Sequence, residues 1–223
     1  MSNHPFTQDA AGYAEKTARL VPGLPDVYRM AGVLLAEHVP PSGRVMVVGA
    51  GGGLELKVFS DMQPGWHFDG IDPSAEMIDQ ARVTLGDQLD RVSFTRGYID
   101  DAPDGPFDGA TCLLTLHFLP REERLRTLQQ IARRLGSGAP LVVLHHSVQE
   151  GVERHIWLRR NAAMMVSHGM PPEQAAKSIE TLKTRLPILS PQQDQAILAE
   201  AGFTDIQLFY AAFTFKGWVG YRD

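Results

Sequence analysis

Residues 44–56 read RVMVVGAGGGLEL, and this stretch decides the fold. Small apolar residues, mostly β-branched, run over Arg44–Val48 and predict a short buried strand. Glycines follow at 49, 51, 52 and 53, and a helix-forming run begins at Leu54. A strand that turns through glycines into a helix lets a ligand approach the backbone closely, because no side chain intervenes. The dinucleotide fingerprint is G-x-G-x-x-G, whose third glycine serves helix–strand packing. Here glycines 49, 51 and 53 give G-x-G-x-G, and Leu54 occupies the third fingerprint position. That spacing disfavours a nicotinamide oxidoreductase.

Outward from this turn, strands and helices alternate. The pattern predicts a helix over 54–62, a strand over 67–71 and a helix over 74–85 with Ser74 as its cap and Glu76 in its first turn. Further strands are expected over 91–95 and 108–114. Leu125, Leu128, Ile131 and Leu135 mark a helix over 120–135, and a fifth strand over 139–144 follows the turn GSG. Such alternation implies right-handed βαβ units and a doubly wound parallel sheet in an α/β protein.

Residues 8–20 and 25–38 read as helices split by VPGLP. Between Gln149 and Pro187 helices are expected with no intervening strand. A helix over 191–200 follows Ser190, and FTDIQLFYAAFTFKGWVGYRD reads as a hairpin that finishes the sheet with an antiparallel edge. The expected organisation is an N-terminal helical arm (1–40), a core (41–148 and 189–223) and a helical lid insertion (149–188).

With 223 residues, 43% hydrophobic and 21% charged, the chain has the composition of an ordinary globular domain. No apolar run approaches the ~20 residues that span a bilayer, so no membrane association is expected. The N-terminus shows no basic region before an apolar core, which makes the cytoplasm the expected location. Cys112 is the single cysteine, which excludes an intrachain disulfide and any multi-cysteine metal site. A net charge of −5 argues against general nucleic-acid binding.

Asp72 stands 19 residues after Gly53, close to the ~20 expected of a ribose-binding acid. The alternative is a helix N-terminal acid beside Ser74. The glycine loop resembles motif I of class I S-adenosylmethionine-dependent methyltransferases. GIDPSAEMIDQAR (70–82) resembles that family's consensus around its ribose-binding acid. FDGATCLLTLHFLP (107–120) resembles its fourth strand and substrate loop, and GSGAPLVVLHHS (136–147) its fifth strand. The resemblance covers residues 44–147 and implies a seven-stranded Rossmann-like sheet whose last strand is antiparallel. It also implies S-adenosylmethionine as cofactor, held by Tyr13, Arg19, Gly49, Ala50, Gly51, Gly53, Asp72, Pro73, Met77, Tyr98, Ile99 and Leu114. Met77 would lie against the adenine, and Tyr13 would close over the methionine end. Two positions depart from the family pattern. Val47 stands where many members carry an acid, and Tyr98 stands where an acid meets the adenine amino group, with Asp100 or Asp101 as substitutes.

The whole chain further resembles carboxy-S-adenosylmethionine synthases, through RLVPGL (19–24), GIDPSAEMI (70–78), LTLHFLPREER (114–124) and AGFTDIQLFYAAFTFKGWVG (201–220). Those enzymes carboxylate the cofactor using prephenate, for tRNA modification, and dimerise through comparable regions. They hold the new carboxylate with an arginine of the insertion. The aligned residue here is Ile179, which cannot pair with a carboxylate. Their glutamate–lysine pair after strand five is replaced by His145 and His146. The expectation is therefore methyl transfer to a small-molecule acceptor, with carboxylation and a non-catalytic cofactor-binding module as alternatives, and a homodimer by resemblance.

Methyl transfer is an in-line displacement driven mainly by alignment, and it needs a base only if the acceptor must lose a proton. His117, His145 and His146 are the catalytic candidates, since all three sit at strand ends on the ligand side. The plainer alternative is that each caps backbone or meets solvent. No metal is expected, because no H-E-x-x-H or similar spacing appears. In the insertion, Trp157, Asn161, Met164 and Met165 read as packing, and Arg154, Arg159 and Arg160 as a solvated face.

Overall fold

The computed structural model describes residues 12–223, the side chains of residues 13–16 aside. Seven strands form one sheet in the order β3-β2-β1-β4-β5-β7-β6. β1 (Arg44–Val48), β2 (His67–Asp72), β3 (Val92–Arg96), β4 (Gly109–Leu113) and β5 (Pro140–His146) run parallel. β7 (Phe215–Arg222) lies antiparallel between β5 and β6 (Phe203–Ala212). The final strand thus slots inside the hairpin's partner rather than forming the edge. Strand order reverses between β1 and β4, and a crevice at the carboxyl ends of strands opens at such a point.

Side-chain alternation along the buried strands separates two cores. On one face, Met46, Cys112, Leu141 and Val143 pack with Leu128 and Ile131 of α5 (Arg121–Ala132) and Ile197 of α8 (Pro191–Glu200). On the other, Val45, Val47, Val142 and Leu144 pack under Val27 and Leu35 of α2 (Leu24–Ala36) and Phe59 of α3 (Leu54–Met62). α4 (Ala75–Leu85) contributes Leu85 to this second core. Between β5 and α8 stand α6 (Val152–Ser167) and α7 (Pro172–Thr184), which carry apolar clusters of their own. Leu20 of α1 (Tyr13–Leu20) packs against Met165 and Met170 there. Among the described residues, no helix is long and apolar enough to cross a membrane.

Several boundaries differ from the sequence expectation by one to three residues, and two of them have a visible cause. The helix expected to run to residue 135 stops at Ala132, because Arg134 and Gly136 turn to exchange backbone bonds with Phe107 ahead of β4. The fifth strand continues two residues past 144, because β7 offers partners as far as the pair His146–Phe215. Of the helix expected over 8–20, residues 13–20 are helical and residues 8–11 lie outside the described residues.

Two ion pairs join α5 to α8, one buried and one exposed. Arg124 and Asp194 are each 1% exposed and in direct contact, while Arg121 and Glu200 pair at 2.7 Å with side chains 44% and 46% exposed. Breaking a buried pair strands a charge away from water, whereas an exposed pair contributes little. Asp194→Ala is accordingly expected to cost about 3–5 kcal/mol in urea unfolding. Glu200→Ala should cost at most about 1 kcal/mol.

Candidate active site

The glycine loop is held from both sides. Gly49 and Ala50 donate their N–H groups to the carbonyl of Ile71, at 2.8 and 3.0 Å. Gly49, Gly51 and Gly53 all have positive φ, at 77°, 49° and 77°. A Cβ at position 49 would lie 2.0 Å from Thr115 Oγ1, and one at position 53 would lie 2.9 Å from Ala81 Cα. The first glycine therefore admits the loop after β4, and the last admits α4. Asp72 closes β2 and is buried. Its Oδ2 accepts the Gly51 N–H and its Oδ1 the Ser74 N–H, both at 2.9 Å. A carboxylate offers about four acceptor sites, which backbone donors and a ligand's vicinal hydroxyls can share.

The other expected cofactor residues surround this point unevenly. Pro73 and Met77 follow Asp72 at the start of α4, with the Met77 N–H capped by Ser74 Oγ at 3.2 Å. Tyr98 and Ile99 follow β3, Tyr98 being 51% exposed and Ile99 buried. Asp100 and Asp101 are both engaged elsewhere: Asp100 pairs with Arg126, and Asp101 Oδ2 accepts the Tyr98 N–H at 2.9 Å. Leu114 adopts φ 59° just past β4 and donates its N–H to the Leu144 carbonyl at 2.6 Å. A left-handed leucine is strained, and such strain concentrates where loops are fixed for a function. Arg19 lies farther off on α1, where its carbonyl meets His168 Nδ1 at 3.3 Å. Tyr13 opens α1, and its side chain lies outside the described residues.

The three histidines divide between two environments. His146 and His117 lie on the side of the second core, with ring centroids 4.9 Å apart. His146 stacks on Phe215 at 4.0 Å, and its Nδ1 bonds Thr214 Oγ1 at 2.9 Å. His117 lies against Phe118, and its Nδ1 is buried without a partner. Burial holds both rings neutral: it pushes His146 down to about 3 and His117 well below the ordinary histidine range, and the proximity of the histidines to one another reinforces each shift. His145 points to the opposite face. Its ring packs on Trp218, and its Nε2 lies 3.2 Å from Asp194 Oδ1, too oblique for a good hydrogen bond. The structure thus brings His117 and His146 together and leaves His145 with the Arg124–Asp194 pair.

Sequence reading missed Glu55. It occupies the first turn of α3, yet its side chain turns inward, and its Oε1 accepts the Thr111 hydroxyl at 3.3 Å. Burial lifts this carboxyl to about 8, opposed by the Thr111 bond and assisted by the charge of Asp72. An acid in a helix's first turn ordinarily reads as a dipole partner in solvent. Only the contact with β4 reveals otherwise. Asn161, read as packing, is fully buried on α6 with neither end of its carboxamide bonded.

Sheet order, the glycine cradle and the acid closing β2 are those of the class I S-adenosylmethionine-dependent methyltransferase fold. Residues 45–138 match the family model of a methyltransferase domain. The chain is 24% identical over 218 residues to a carboxy-S-adenosyl-L-methionine synthase of Chromohalobacter salexigens, covering 96% of this chain and 81% of that one. Among solved structures, an O-methyltransferase family protein of Burkholderia thailandensis superposes with a TM-score of 0.68 at 17% identity, over 96% of this chain and 60% of that one. Human N-acetylserotonin methyltransferase, solved with the cofactor bound, superposes at 0.60 with 17% identity, over 96% of this chain and 58% of that longer one. The residues fit the cofactor: the cradle tolerates no Cβ at position 49, and Asp72 places a carboxylate beside the glycine loop, a group that a ribose can bond.

Gly49→Ala should abolish cofactor binding in a calorimetric titration while the protein still folds, because the clash with Thr115 must push the loop open. A pH prediction follows from the buried groups. The neutral histidines bind fewer protons folded than unfolded, so their stabilising contribution is lost as pH falls from about 6.5 toward about 3. Glu55 binds more protons folded than unfolded, so stability declines as pH rises from the ordinary carboxyl range to about 8. Above about pH 6.5 Glu55 acts without this opposition. Denaturant midpoints should therefore fall between about pH 6.5 and 8, and Glu55→Gln should flatten that decline.

Proposed function

We propose that the chain transfers the methyl group of S-adenosylmethionine to a small-molecule acceptor. The observation that carries this reading is the burial of His117 and His146 beyond the ends of β4 and β5, where they are only 5% and 7% exposed. A group that reaches these rings must enter a confined space, which favours a small acceptor over a macromolecular surface. When bound, the cofactor supplies an electrophilic methyl carbon.

The protein's own part is alignment and solvation. The glycine loop and Asp72 anchor one reactant, and the residues after β4 orient the other. Neutral imidazoles accept a hydrogen bond from an acceptor's O–H or N–H and so orient its lone pair toward the methyl carbon. Thr214 holds the His146 ring through Nδ1, which leaves Nε2 as the atom that faces an incoming group. Water exclusion by the buried Phe215 strengthens these contacts.

Carboxylation of the cofactor is the second reading, favoured by the names of the sequence relatives. Ile179 weighs against it. Its side chain is buried with Leu158, Leu182 and Ile188 in an apolar cluster between α6 and α7, where no carboxylate can be received.

The test supplies trideuteromethyl S-adenosylmethionine to the protein with a deproteinised metabolite extract and with tRNA, then locates the label by mass spectrometry. Label in the small-molecule fraction is the expected result. Label in tRNA alone, or carboxylated cofactor formed from added prephenate, would overturn it. With an acceptor in hand, His117→Ala should lower kcat by about 10²-fold or more at unchanged cofactor affinity.

A further inference from the structure

Two carboxyl groups flank the glycine loop, and their partners differ in kind. Asp72 stands on the β2 side with two backbone N–H donors at 2.9 Å, which stabilise a carboxylate. Glu55 stands on the β1–β4 side, 6% exposed, with one neutral hydroxyl as its hydrogen-bond partner. That partner, Thr111, lies beside Val47 in the parallel pairing of β1 and β4, directly before the loop. Gly49 abuts Thr115, so the glycine loop and the loop bearing His117 touch on this same side.

The groups around Glu55 leave its charge unbalanced. β2 offers Asp72, which repels it. β4 offers Thr111 and, on the opposite face, Cys112, whose thiol is itself pushed up by burial and by Glu55. α2 brings the buried Tyr28 into the same apolar core. The charged pairs of α3 and α4, Lys57–Asp61 and Arg82–Asp79, lie at the surface. Among the described residues no cation pairs with Glu55, so a buried carboxyl stands beside a ligand site with nothing positive to face. A carboxyl in that position is neutral until a cation arrives, and a cation within ~4–6 Å favours ionisation strongly.

We infer that Glu55 is the counter-charge for the sulfonium of the cofactor: it releases its proton to solvent when the cationic cofactor binds, and thereby favours that ligand over the uncharged thioether left after transfer. The placement rests on the proposed reading above, since the reacting end of the cofactor must face the His117 side of the loop. Methyl transfer removes the positive charge, so a proton returns to Glu55 and the product is held less tightly. Glu55 is thus a specificity-determining residue that helps product leave.

Calorimetric titration tests this without turnover. S-adenosylmethionine and S-adenosylhomocysteine are titrated near pH 7 in buffers of different ionisation heat, which reports protons released on binding. S-adenosylmethionine should release a clear fraction of a proton and S-adenosylhomocysteine markedly less. The ratio of their affinities should rise with pH toward about 8, by up to about tenfold per unit. Both ligands share the amino-acid end, so its titration cancels in the ratio. Glu55→Gln, which mimics the neutral acid and preserves the fold, should release no excess proton and show a flat ratio. Thr111→Val removes the bond that favours the ionised form, and should move the rise to higher pH. Equal release in the wild type and Glu55→Gln, or a flat wild-type ratio, would overturn the inference while leaving methyl transfer intact. A normal proton signal with no labelled small molecule would support it and overturn the proposed acceptor class instead.

Discussion

The carboxylate of Asp72 joins three elements that must agree before a ligand can bind. One oxygen takes the Gly51 N–H of the loop after β1, and the other takes the Ser74 N–H at the start of α4. These charge-assisted bonds hold the glycine loop against the end of β2. The loop can lie there only because position 49 carries no Cβ, since Thr115 fills that space from the far side. The cradle is therefore a closed circuit through β1, β2 and β4. Its geometry depends on one acid and on glycines in left-handed conformations.

The alternating directions of a strand's side chains explain why adjacent histidines do different work. His145 falls on the face of α5 and α8 and meets Asp194, already in contact with Arg124. His146 falls on the other face, beside His117 and Phe215. One lies against a buried charged cluster that ties two helices together, and the other packs among His117, Phe215 and Thr214. The pattern matches the general division in such folds, where one side of the sheet is scaffold and the carboxyl ends carry chemistry.

The likeness to carboxy-S-adenosyl-L-methionine synthases extends over nearly the whole chain, and the solved structures it superposes on share its fold. Fold-level likeness does not decide the reaction. Ile179 sits in apolar contact with Leu158 and Leu182, so α6 and α7 use that position to pack against one another. His117 and His146, by contrast, are rings that burial keeps neutral rather than a fixed cation.

The sequence by itself determined the alternation of strands and helices, the parallel sheet, the glycine turn and the acid that follows it. These are local signals: side-chain period, glycine spacing and a capping serine act within a few residues. It also marked the strand-end histidines as residues of interest, without separating them. Tertiary structure decided the rest. The helix after β4 ends at Ala132 because Phe107, far back in the chain, claims the following carbonyl and N–H. Asp100 and Asp101 are occupied by Arg126 and by the Tyr98 N–H. Glu55 reads in sequence as an exposed first-turn acid, but contact with Thr111, 56 residues later, buries it and raises its carboxyl to about 8. Burial and charge balance arise from residues remote in sequence, and so the protonation of Glu55, His117 and His146 became legible only once the chain was folded.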